Sequence, residues 1–105
     1  MITGFPSPAQ GYEDKIIDLN TLVVKHPAAT VFMQVDTKRY VRYGIYYGDL
    51  LVVDRSLAVK EDSFVVFEQD GEFHIGWIRN LMREAVICGV ITHVLHCVKT
   101  SVNSD

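Results

Sequence analysis

The pair Asp70-Gly71 restricts this chain more than any other feature. It separates Ser63-Phe64-Val65-Val66-Phe67-Glu68 from Glu72-Phe73-His74-Ile75-Gly76-Trp77-Ile78, two runs rich in β-branched and aromatic residues. An Asp-Gly pair tolerates the positive φ angles of a tight turn whose twist suits two antiparallel strands, so a β-hairpin is expected here. Three further runs carry strand signals. Thr30-Val31-Phe32-Met33-Gln34-Val35 is one. Asp49-Leu50-Leu51-Val52-Val53-Asp54 is an apolar run bounded by acids, long enough for a buried strand and too short for a helix. Gly44 and Gly48 punctuate the segment before it. Residues 85–98 form the third, with Gly89 as a bulge or close-approach point. A long strand at the end of a sheet can pair outward, so this one is the expected dimer or partner edge. One short helix is expected in residues 18–27. Asp18 or Asn20 caps it, Pro27 ends it, and Lys25 and His26 sit at the negative end of its dipole. The expected class is all-β (mainly β) with one short N-terminal helix, without internal repeat or linker.

Composition narrows the function. A chain of 105 residues holds one core. Its 49% hydrophobic and 22% charged residues are those of an ordinary globular protein, which excludes disordered and low-complexity classes. No apolar run approaches the roughly 18 residues of a membrane span. Residues 1–11 lack the basic start and apolar block of a signal peptide. With Pro6 and Pro8 they form either an extended arm on a surface or a frayed end, and residues 12–105 form a single β domain. Ten basic against 13 acidic residues leave a net charge of −3, which opposes strong direct nucleic-acid binding. Cys88 and Cys97 share one extended run, where nine residues span about 30 Å, too far for a disulfide. Both are expected reduced, in a cytoplasmic protein.

Several blocks, taken in order, resemble the UmuD/LexA-type S24 peptidase family. Gly4-Phe5-Pro6-Ser7-Pro8-Ala9, Ile17-Asp18-Leu19-Asn20 and His26-Pro27 resemble the start of the processed UmuD′ form. Gly44-Ile45 and Gly48-Asp49-Leu50-Leu51-Val52-Val53-Asp54 resemble the family's central block. Asp70-Gly71-Glu72-Phe73 looks like the hairpin that follows, and Gly89-Val90-Ile91-Thr92-His93-Val94 like the closing strand. The resemblance implies curved β-sheets, a homodimer, and a Ser–Lys dyad that cuts the protein's own N-terminal arm when RecA filaments stimulate it. In such a dyad a buried lysine loses its proton and serves the serine as base, because desolvation disfavours the ammonium.

The chain departs from the family at that chemistry. The family's serine lies five residues before the glycine matched by Gly44, which is Arg39 here. The family's lysine lies six residues after the aspartate matched by Asp70, which is Gly76 here. Arginine stays protonated and glycine has no side chain, so neither residue fills the role. The family's scissile bond precedes the residue matched by Gly4, so Thr3 and Gly4 mark the former cleavage region and the chain resembles the product of cleavage. The stretch between Trp77 and Gly89 is also shorter than in the family. A pseudopeptidase is expected.

Other residues carry competing interpretations. Arg39, Tyr40, Arg42, Tyr43, Tyr46 and Tyr47 place two arginines and four tyrosines in nine positions. They form either a partner-binding patch, since Arg and Tyr are enriched at hot spots, or the packing of a filled-in cleft. On an extended strand His93 and Cys97 face one way while Cys88 and His96 face the other, so no metal site is expected. His93 falls where the family carries a structural histidine. No cofactor is expected. Ser56 and Ser63 have no evident base. Asp36 and Lys38 suggest a surface ion cluster near Arg39. Trp77 is expected in the core. Together the resemblance implies a noncatalytic, UmuD′-like accessory subunit in SOS-response translesion synthesis. Its partners would be a second copy, an UmuC-like polymerase and a RecA filament. The alternative is an inhibitory mixed dimer with an intact UmuD or LexA-like protein.

Overall fold

The computed structural model describes residues 18–99. The expected arm over residues 1–11, with Thr3 and Gly4, lies outside the described residues. Five strands make one antiparallel sheet: β1 (Thr30–Gln34), β2 (Leu50–Asp54), β3 (Phe64–Gln69), β4 (Glu72–Trp77) and β5 (Val86–Leu95). Their order is β1-β2-β5-β3-β4. The fold is mainly β, as expected.

The β3–β4 hairpin forms where Asp70-Gly71 requires it. Gln69 pairs with Glu72, and the two turn residues have φ of 57° and 79°. Such a turn needs left-handed backbone at both positions, which Asp tolerates and Gly adopts freely.

β5 corrects an expectation. It stands third of five, between β2 and β3, but only Val90 pairs with both, so each half has one strand neighbour among the described residues, and it ends at Leu95 rather than Val98. β2 lies beside residues 90–95 and β3 beside residues 86–90. Each ladder shifts register once, skipping Thr92 opposite Val52/Val53 and Cys88 opposite Val66/Phe67. Such bulges bend and twist a strand, and here its two halves serve different neighbours. They also cancel the simple alternation assumed for Cys88, His93, His96 and Cys97. Gly89 lies between them, and a Cβ there would stand 2.7 Å from Val53 Cγ1 and 3.2 Å from the Asp54 carbonyl oxygen. It is the close-approach point expected.

The helix is shorter than expected. α1 spans Leu19–Val23, and Asp18 caps it by accepting from the Asn20 N–H at 3.0 Å. Pro27 does not end it but opens a separate 3-10 turn, Pro27–Ala29, so Lys25 and His26 lie outside the helix. Proline suits the first turn of such an element because its missing N–H has no partner there anyway.

Val52, Val53 and Val65 are fully buried. Leu51, Val53, Val66 and Ile75 of the sheet pack with Val35, Tyr40 and Ile45 of the β1–β2 connection in one core cluster. That connection is pinned by Gly48 N–H donating to Val35 O and Val35 N–H donating to Asp49 O, at 2.7 and 2.8 Å. Trp77 is half-buried rather than core, 4.7 Å from the Phe64 ring. No helix among the described residues is long and apolar enough to cross a membrane.

Candidate functional site

The connection between β1 and β2 folds back over the sheet and brings Arg39-Tyr40 against β4. Tyr40 is 8% exposed, and its hydroxyl oxygen accepts from the Ile75 N–H at 3.4 Å. One residue before it, Arg39 is exposed and its Nη1 donates toward His74 Nδ1 at 3.5 Å, a long contact. Gly76 follows two residues along β4, opposite Val65 of β3. The two positions singled out as a missing dyad thus lie on segments that meet. The cation on one cannot act as nucleophile, and the other offers only Cα. A Cβ at Gly76 would lie 3.5 Å from the Phe67 ring and 3.8 Å from Leu81, ordinary contact distances.

Beside this junction is a cavity of about 80 Å³, lined by Met33, Val35, Tyr40, Leu51, Val66 and Ile75, with Thr37 and His74 also at its wall. The Thr37 hydroxyl accepts from the Arg39 N–H at 3.2 Å. Among the described hydrogen bonds, this is the one that the Thr37 hydroxyl makes.

The Arg/Tyr cluster divides. Tyr40 belongs to the core, which corrects its placement in a contact patch. Tyr43 is half-buried, its ring 6.3 Å from Tyr40 and 5.3 Å from Phe64. Arg42 is exposed, with its guanidinium 4.9 Å over the Tyr43 ring. Tyr46 and Tyr47 are 42% and 63% exposed. Packing therefore accounts for the inner tyrosines, while Arg39, Arg42, Tyr46 and Tyr47 stand at the surface.

Two buried carboxylates at the ends of β2 were missed. Asp49 accepts from the Tyr46 N–H at 2.8 Å and pairs with His96 Nδ1 at 2.6 Å. Asp54 pairs with His26 Nδ1 at 2.6 Å and accepts from the Ser56 hydroxyl and N–H at 2.6 and 2.9 Å. The Ser56 hydrogen bonds, then the His26 imidazole, hold the Asp54 carboxyl at about 2. The signal was in the sequence: an acid abutting a fully buried run must find a partner. Ser56 thus caps a carboxylate, and Ser63 Oγ accepts from the Lys60 N–H at 2.9 Å. Asp36 and Lys38 form no ion pair, since the ion pairs among the described residues are these two His–Asp contacts.

Cys88 and Cys97 are free thiols. Burial, helped by the Glu68 carboxylate and opposed by Arg55, pushes the Cys88 thiol up. His93 is exposed and its Nδ1 contacts the Thr92 hydroxyl at 3.0 Å. Among the described residues, no three His, Cys, Asp or Glu side chains converge as metal ligands.

The Peptidase S24-like family model matches residues 1–87, most of the chain. The chain belongs to the S24 peptidase family. Protein ImpA of Salmonella typhimurium is 36% identical over 111 aligned residues, covering 89% of this chain and 77% of ImpA. Protein MucA of Escherichia coli is 46% identical over 72 residues, covering 69% of this chain and 49% of MucA. Protein SamA of Salmonella typhimurium is 39% identical over 72 residues, covering 69% of this chain and 51% of SamA. The S24 match stops just as β5 begins.

Proposed function

We propose that this S24 family member is a noncatalytic, UmuD′-like accessory subunit in SOS-response translesion DNA synthesis. In this role it dimerises and binds an UmuC-like error-prone polymerase. The observation that carries the proposal is that Arg39 and Gly76, which we assign to the dyad positions, lie on two segments that meet through Tyr40 and Ile75. Self-cleavage needs a nucleophile and a deprotonated base, and this pair supplies neither. What remains useful is surface. Arg39, Arg42, Tyr46 and Tyr47 are exposed, and Tyr43 supports Arg42 from below. Those residue types bring large contact area with polar tips, so we assign the polymerase contact to them.

The test is coexpression of tagged protein with the host's UmuC-like polymerase, and separately with intact UmuD, followed by affinity purification. Stoichiometric recovery of the polymerase is the expected result. Recovery of intact UmuD alone would replace the proposal with the inhibitory mixed dimer. Incubation with activated RecA filament is expected to leave the chain at full length, and shortening at a defined bond would overturn the pseudopeptidase assignment.

A further inference from the structure

β5 carries a second surface that its own sheet leaves open. Its ladder with β3 stops at Val65–Val90, while its ladder with β2 continues to Leu95. Along the β3 side of residues 91–95, no strand pairs with β5 among the described residues. In place of a neighbour there is a groove of about 610 Å³, lined by Arg42, Tyr43, Phe64, Trp77, Ile91 and His93, among others. Its aromatic wall is continuous, with Phe64 5.3 Å from Tyr43 and 4.7 Å from Trp77.

We propose that this groove takes an extended, acidic and apolar peptide segment of a partner protein, added as a strand along residues 91–94 of β5. Three observations converge on that occupant. The open side of β5 offers main-chain groups at strand spacing, which an extended peptide satisfies. Alternate side chains of such a peptide would face the Tyr43, Phe64 and Trp77 rings, and apolar ones fit there. One arginine, Arg42, lines the groove, and a second, Arg79, stands outside the lining against its Trp77 ring, in a chain of net charge −3. Arg42 lies over Tyr43, Arg79 lies 5.2 Å over Trp77, and no carboxylate is among the lining residues. The nearby acids Glu61 and Asp62 precede β3 and do not line it. Acidic positions on the incoming strand would meet the two guanidiniums. A single-stranded nucleic acid would also stack on the rings, but it gains nothing from the strand edge, and the overall acid surplus opposes it. The inference does not depend on the partner being a polymerase.

Trp77 is the chain's one tryptophan and lies in the groove, so its fluorescence reports occupancy. The probe is a capped peptide of about eight residues alternating Glu with Val and Phe, a length that fills such a strand site. A saturable change in Trp77 emission is expected, with amide shifts at residues 91–94. Arg42→Glu, an exposed substitution, is expected to weaken binding about tenfold while leaving the thermal midpoint unchanged. Equal binding of a peptide with Lys in place of Glu would overturn the charge argument. Binding of oligothymidylate but not peptide would make the groove a nucleic-acid site, and absence of any binding would remove the site. A signal that follows protein concentration without peptide would assign the groove to a second copy instead.

Discussion

Asp54 shows what one residue contributes when its surroundings are chosen by the fold. Ser56 and His26 stabilise its ionised form, so its carboxyl sits at about 2 against an ordinary 3.8. A depressed carboxyl contributes stability that is present above 3.8 and lost as the pH falls through about 2. Asp54→Asn is therefore expected to lower the melting temperature above 3.8, with the gap to the parent narrowing as the pH falls toward 2. Melts across that range check it. Tyr40 and Tyr47 make a second contrast. Tyr40→Phe removes the acceptor for the Ile75 N–H and is expected to cost about 1 kcal/mol by urea denaturation. Tyr47→Ala, at 63% exposure, is expected to stay within about 0.5 kcal/mol of the parent.

β5 is the element on which the sheet turns. Its composition marks it as a strand, but its place in the middle follows from pairing with β2 and β3 at once. Gly89 permits that arrangement, because the β2 chain passes too close for a side chain. Gly89→Ala is expected to destabilise the protein by about 1–3 kcal/mol, the range for overpacking a filled site, read by urea denaturation. The hairpin behaves differently. Its two strands and their turn were legible from Asp70-Gly71 and the flanking apolar runs, since every contact needed is local, while three of the four strand ends fall one residue from the expected ones. α1 was legible at its start, where Asp18 caps it, and not at its end. Pro27 is a stop signal by its chemistry, yet the helix finishes four residues earlier and His26 is drawn instead to Asp54. That contact spans 28 residues and leaves no local trace.

At the scale of the molecule, the chain belongs to the S24 family, and under the proposed function its dyad positions are Arg39 and Gly76. If the exposed patch is the partner contact, substitutions there should separate binding from folding. The double variant Arg39→Ala with Tyr47→Ala is expected to reduce recovery of the coexpressed polymerase at least about tenfold, with an unchanged melting temperature, because hot-spot residues dominate an interface. Unchanged recovery would move the contact elsewhere on the surface. Arg42 is shared with the β5 groove, so it is kept out of that pair.

The sequence alone determined the strand-forming runs, the hairpin and the S24 relationship. These rest on residue type and short spacing, which the chain carries wherever it folds. Only the tertiary structure decided which strand is central, that Tyr40 is core while Tyr47 is surface, and that His26 and His96 hold the carboxylates at the two ends of β2. The reason is physical. Strand order and burial depend on contacts between residues far apart in the chain, and alternating patterns specify which faces are apolar without saying which neighbour covers them.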